Sequence, residues 1–162
     1  MSAPTHFTTE ILPGLYCSGM PEPTWPIEQW HIGLVVSLSE HAPPQAAHRF
    51  APGAPGGAKG NGSIIYMHWP IPAATAPNLN AAEFVAECIA RAHNAGTDVL
   101  VHCQDGTDRT GFIVALAVRQ LKSMSGSEAL AHVRALRPIA LRNPDYTAVL
   151  STLPPPTTKG PT

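Results

Sequence analysis

Val99-Leu-Val-His-Cys-Gln-Asp-Gly-Thr-Asp-Arg-Thr-Gly-Phe-Ile113 decides how this chain is read. An apolar, β-branched run delivers Cys103, and an arginine follows six positions later with Gly106 between them. Thr110-Gly111 then opens a helical pattern. A strand that turns through such a loop into a helix points its backbone N–H groups at one place, at the positive end of the helix dipole. An anion is held there, and a thiol at that place is drawn toward the thiolate. These are the parts needed to attack a phosphate ester and hold the phosphoryl group during transfer.

Working outward, Asp98–His102 reads as the strand carrying Cys103, and Thr110–Leu121, apolar almost all round, reads as a central buried helix. Before them, Ile11–Gly19 reads as a strand pair broken at Pro13-Gly14, and Trp25–Gln29 as a turn or short helix. Leu34–Leu38 reads as a buried strand, and Ile64–His68 as another that ends in the proline-stiffened Trp69–Ala73. Asn80 is read as the cap of a helix running to about His93, with Ala82, Val85, Ala86, Ile89 and Ala90 as its inner stripe and Gly96 beyond its end. Ser127 is read as the start of a further helix with Leu130, Val133 and Leu136 on one face. Asn143-Pro144 caps and opens the last one. Strands alternating with helices predict an α/β single domain: a central mixed, mostly parallel sheet with helices on both faces.

The boundaries expected are a flexible start at 1–10, one domain at 11–153 and a disordered Pro/Thr-rich tail at 154–162. Within the domain, 41–63 is rich in Ala, Pro and Gly and is read as a loop insertion. At 162 residues the chain can bury a core without covalent staples. Its formal net charge of −1 gives no polyanion-binding surface, so no nucleic-acid partner is expected. Cys17, Cys88 and Cys103 are too few and too scattered for a disulfide framework or a zinc site, and they suit a reducing cytoplasm. No greasy segment is long enough for membrane insertion, no secretory signal is read at the N-terminus, and a monomer is expected.

Each residue near the loop has a plain reading beside its chemical one. Cys103 is a nucleophile or an inert buried thiol. Arg109 either presents a planar fork to two phosphate oxygens or pairs with Asp105 or Asp108. Gln104, Asp105, Gly106, Thr107, Asp108 and Arg109 form the phosphate-binding loop, in which Gly106 permits the tight turn. Thr110 caps the helix, donates its hydroxyl to the thiolate, or both. His102 points away from Cys103 if the strand continues, and is read as bonding beneath the loop. Glu40, at the end of the Leu34 strand, is either near the ligand edge of the sheet or a solvated charge. His68 and Trp69 are candidates for the rim, His68 also for a spare acid, and Cys88 belongs to the helical stripe. No metal or other cofactor is implied.

His102-Cys103, five residues, Arg109-Thr110 resembles the signature of the cysteine-dependent protein phosphatases. The context is similar to the small atypical dual-specificity phosphatases over about 11–150, through Ile11–Tyr16, Leu34–Glu40, Pro70-Ile-Pro72 with Ala76-Pro77, and Leu136-Arg-Pro138. The resemblance implies that fold, and a phosphocysteine mechanism acting on phosphorylated proteins or small phosphomonoesters. One departure stands out. In that family an aspartate after Pro-Ile-Pro protonates the leaving group, whereas this chain has Ala73. The loop is also similar to the Cys-x-x-Gly-x-Asp-Arg-Thr variant of myotubularins and some bacterial tyrosine and lipid phosphatases, which makes Asp108 a candidate acid and then base. A structural carboxylate is the alternative. Asn143 stands where relatives brace the loop, though a helix cap also explains it. Three other functions stay open at this stage: phosphoinositide hydrolysis, a weakened module that only binds phosphate groups, and sulfur or arsenate transfer.

Overall fold

The computed structural model describes residues 8–41, 64–73 and 75–157. Five strands form one sheet: β1 (Thr9–Leu12), β2 (Leu15–Ser18), β3 (Ile32–Ser37), β4 (Ile65–His68) and β5 (Asp98–His102). Their order is β1-β2-β5-β3-β4. Only β1 and β2 run antiparallel; β2–β5, β5–β3 and β3–β4 are parallel, so the sheet is mixed and mostly parallel, as expected. Four α-helices follow: α1 (Leu79–Asn94), α2 (Asp108–Lys122), α3 (Gly126–Leu136) and α4 (Pro144–Ser151).

Side chains alternate across each strand, and the two faces are covered unequally. Leu15, Cys17, Leu34, Val36, Val99 and Val101 point into the main core with the buried residues of all four α-helices. Tyr16, Ile32, Val35 and Leu100 point the other way. There Trp25, Ile27 and Trp30, the last two in a 3-10 turn (Ile27–Trp30), and Ile64 cover them. Helices therefore lie on both faces, and among the described residues the four α-helices pack on one face and a 3-10 turn on the other. Burying each Leu, Ile or Val of the main core contributes about 1.5–3 kcal/mol before conformational entropy is counted. The α2 helix is buried from Thr110 through Arg119, which accounts for its apolar surround.

Several boundaries move. Thr9 and Glu10 are in β1 and pair with Cys17 and Tyr16, while the Glu10 carboxylate accepts the Gly14 N–H (3.0 Å) to close the hairpin. The α1 cap is Asn78, which accepts from Ala81 N (3.1 Å), so Asn80 lies inside the helix; the earlier start packs Leu79 against the core. Helix α3 starts at a capping box, with Ser125 Oγ accepting from Glu128 N (3.2 Å) and Glu128 accepting from Ser125 N (2.8 Å). That box outcompetes Ser127. Leu136, assigned to the buried face, ends the helix 47% exposed. A Cβ on Gly126 would lie 1.9 Å from Leu150 O, so α3 and α4 meet only because this residue has no side chain. Residues 154–157, read as part of a disordered tail, are placed, with Pro154 O accepting from Arg119 Nε (2.8 Å). The loop insertion at 41–63, from residue 42 onward, and the tail from 158 lie outside the described residues. No helix among the described residues is long and apolar enough to cross a membrane.

Candidate active site

Strand β5 ends at the carboxyl edge of the sheet, and α2 begins six residues later. The loop between them is therefore short, and Gly106 makes it possible. Its φ is +67°, and a Cβ there would lie 2.5 Å from Gly19 N and from the Ser18 backbone. Backbone and side-chain bonds then pin the loop from behind. Met20 N donates to Gln104 O (2.9 Å), and Leu38 N donates to His102 O (2.8 Å). Arg137 donates from Nε to Gly106 O (2.8 Å) and from Nη1 to Thr9 Oγ1 (2.9 Å). The Arg137 contact was not read from the sequence; a single arginine in Leu136-Arg-Pro138 gives no sign that it reaches 31 residues back.

Cys103 lies at the floor of a cavity of about 210 Å³, 2% exposed, and Gly106 N donates to its sulfur (3.2 Å). The walls are Ala73, Asp105, Thr107, Asp108, Arg109, Asn143 and Tyr146. Of the predicted site residues, the structure thus gathers Cys103, Asp105, Thr107, Asp108, Arg109, Asn143 and Ala73 at one place. Gln104 and Gly106 belong to the loop and Thr110 to the first turn of α2, and none of the three lines the cavity.

Arg109 is in the first turn of α2, because the helix begins at Asp108 instead of Thr110. Its Nη1 donates to Ile71 O (2.7 Å), which leaves the rest of its five-donor fork available. No ion pair joins Arg109 to Asp105 or Asp108 among the described residues. Thr107 occupies the cap position without a side-chain capping bond. Thr110 is fully buried, and its hydroxyl has no hydrogen-bond partner among the described residues. It is therefore not the cap. A buried hydroxyl without a partner is costly, and such groups gather where a ligand will complete them.

Asp108 accepts the Asn143 N–H at Oδ1 (2.8 Å), while the Asn143 side chain caps α4 by accepting from Asp145 N (2.9 Å). The side chain of Asn143 is thus the helix cap, and its contact with the loop is made by the backbone N–H. Tyr146, one turn into α4, was missed. It is 1% exposed, stacks edge-on against Phe112 (5.2 Å) and donates from its hydroxyl to Thr75 O (2.9 Å). Burial raises its pKa. The signal was its spacing from Asn143, which puts the two on one side of the helix.

His102 points to the opposite sheet face from Cys103, with Leu100. Its Nδ1–H donates to Cys103 O (3.2 Å), and Nε2 has no partner among the described residues. Burial pushes its pKa down to about 4, so the ring is neutral at pH 7. Cys17, beneath the same strands, is pushed up to about 12 by burial and stays a thiol. His68 and Trp69 do not line the cavity. His68 Nε2 donates to Ser39 O (2.8 Å), and Trp69 packs on the core. Cys88 is half-buried on α1, consistent with packing. Glu40 is exposed and accepts from Ala73 N (3.4 Å), so it reaches the far wall without lining it.

A profile of the dual specificity phosphatase catalytic domain matches residues 26–153. The chain belongs to this family. The mouse dual specificity protein phosphatase 15 is 26% identical over 141 residues, covering 85% of this chain and 54% of that protein. The chain thus spans about half the length of the curated relatives it matches. Among solved folds, a mouse putative dual specificity phosphatase complexed with zinc tungstate superposes with a TM-score of 0.70 at 23% identity, covering 93% of this chain and 87% of that one. Human DUSP28 gives 0.70 at 20% identity, covering 93% and 94%. These two likenesses concern the fold, and the family's Pro-Ile-Pro segment here ends at Ala73 on the cavity wall.

Proposed function

We propose that the domain hydrolyses phosphomonoesters on phosphotyrosine, phosphoserine and phosphothreonine proteins through a phosphocysteine intermediate, in the cytoplasm and as a monomer. The observation that carries the reading is the sulfur of Cys103 at the floor of a cavity, 3.2 Å from a loop N–H, with Arg109 on the wall. Sγ attacks phosphorus while the ester P–O bond breaks. Arg109 and the loop amides hold the three non-bridging oxygens as charge spreads over them. Asp108, protonated at the start, gives its proton to the leaving oxygen. As carboxylate it then takes a proton from a water that attacks phosphorus. The P–S bond breaks, and the unpartnered Thr110 hydroxyl donates to the departing thiolate. Family membership and the presence of Asp108 beside Cys103 among the residues lining the cavity support these roles.

Cys103→Ser is expected to abolish turnover of p-nitrophenyl phosphate while leaving the far-ultraviolet circular dichroism unchanged. The wild type should release one equivalent of nitrophenol in a burst and then turn over steadily. Retained activity in Cys103→Ser refutes the mechanism. A burst without steady turnover would favour the module that only binds phosphate groups.

A further inference from the structure

The cavity that receives the phosphate dianion is short of positive charge. Among the described residues that line it, Arg109 is the sole cation, against the carboxylates of Asp105 and Asp108. The nearest guanidinium behind the loop, Arg137, is committed to Gly106 O and Thr9 Oγ1. Outward from the cavity, Glu40 is exposed beside Ala73, and Asp145 is exposed in the first turn of α4, with Arg142 as the exposed cation nearby.

Asp105 is the informative member of this set. It is exposed, it lines the cavity, and its carboxylate has no hydrogen-bond or ion-pair partner among the described residues. The loop's shape is fixed by Gly106, Met20 and Arg137 and does not draw on the Asp105 side chain. A second anionic group beside the phosphate, whether another phosphate or an acidic side chain, would meet Asp105 with no second cation among the described lining residues to offset it. An ammonium or guanidinium within a screening length of about 8 Å would instead be paired.

We propose that Asp105 is a specificity-determining residue that selects phosphorylated segments carrying lysine or arginine beside the phosphoresidue. This rests on the phosphatase reading above. The test uses the full chain and two phosphotyrosine peptides that differ only in flanks, Lys/Arg in one and Glu/Asp in the other. The basic peptide is expected to have the higher kcat/KM by roughly 5- to 30-fold at low salt, narrowing to about twofold at high salt. Asp105→Asn should shrink that ratio about fivefold, and Asp105→Lys should reverse it. Because the ratio is taken within each variant, a change in overall activity cancels.

Equal rates for the two peptides, preference for the acidic one, or preference for an inositol bisphosphate overturns the proposal. Binding of both peptides to Cys103→Ser separates the two ideas. Turnover without preference sinks the role of Asp105 and leaves the phosphatase reading standing. Preferential binding of the basic peptide with no wild-type turnover does the reverse.

Discussion

The two walls of the cavity are built in opposite ways. The loop from Cys103 to Arg109 is held by backbone: a glycine with no room for a Cβ, amide bonds from Met20 and Leu38 to Gln104 O and His102 O, and Arg137 bridging it to β1. The facing segment, Ile71–Ala73 with Thr75, has one backbone tie to β3's end, Ile71 N to Leu38 O (3.0 Å), and is otherwise held by the tips of side chains from three elements: Arg109 on Ile71 O, Glu40 at Ala73 N and Tyr146 on Thr75 O. On the proposed mechanism one wall carries all the chemistry and tolerates little change. The other carries none of its own and is positioned by groups that single substitutions remove. On that mechanism the phosphate-holding half of this site is overdetermined, while its leaving-group half would depend on a carboxylate, Asp108, supplied by the loop wall.

The hardest blow to that contrast falls on this carboxylate. Asp108→Asn is expected to cost about 10²–10⁴-fold in kcat on phenyl phosphates with poor leaving groups and much less on good ones, read as a steeper leaving-group dependence. Ala73→Asp, placed in that background, should restore part of the loss by supplying an acid from the facing wall; no recovery would mean that wall is too far or wrongly aimed. Next comes the loop itself. Gly106→Ala adds a side chain at positive φ against the Ser18–Gly19 backbone and should cost about 2–4 kcal/mol in urea unfolding, with weaker vanadate inhibition.

Beneath the same loop, His102 gives a pH signature. Its folded pKa of about 4 lies below the ordinary 6.5, so the unfolded chain binds the extra proton between those values. Stability from this group is complete above pH 6.5 and falls as pH drops toward 4, by about 3 kcal/mol at most. His102→Gln should flatten the urea midpoint over that window; an unchanged slope assigns the acid sensitivity elsewhere. The smallest effect is expected from Tyr146→Phe, which removes one bond to the facing wall. It should cost about 1 kcal/mol, read as a several-fold rise in KM with the phosphate loop intact by vanadate titration.

The loop wall was the part legible in the sequence. A strand, a cysteine, a glycine and an arginine at fixed spacing have one compact way to fold, so the local pattern already contains the geometry. The facing wall was not legible, because its positions depend on contacts between distant segments: Tyr146 with Thr75, Glu40 with Ala73 and Arg109 with Ile71. Element boundaries followed the same division. Asn143-Pro144 announces α4 by itself, whereas Asn78 and Asn80 compete as caps of α1, and only the packing of Leu79 on the core decides between them. The cover that Trp25, Ile27 and Trp30 lay over the second sheet face was also hidden, since they carry no helical period long enough to reveal a layer.

The contact between Arg119 and Pro154 bears on how shortened versions of this protein should be designed. Arg119 is 7% exposed, with Nη1 answered by Glu83 (3.2 Å) and Nε by the Pro154 carbonyl (2.8 Å). Clipping the polypeptide just before that proline would strand a charged donor inside the helical layer, so any trimmed version should retain it.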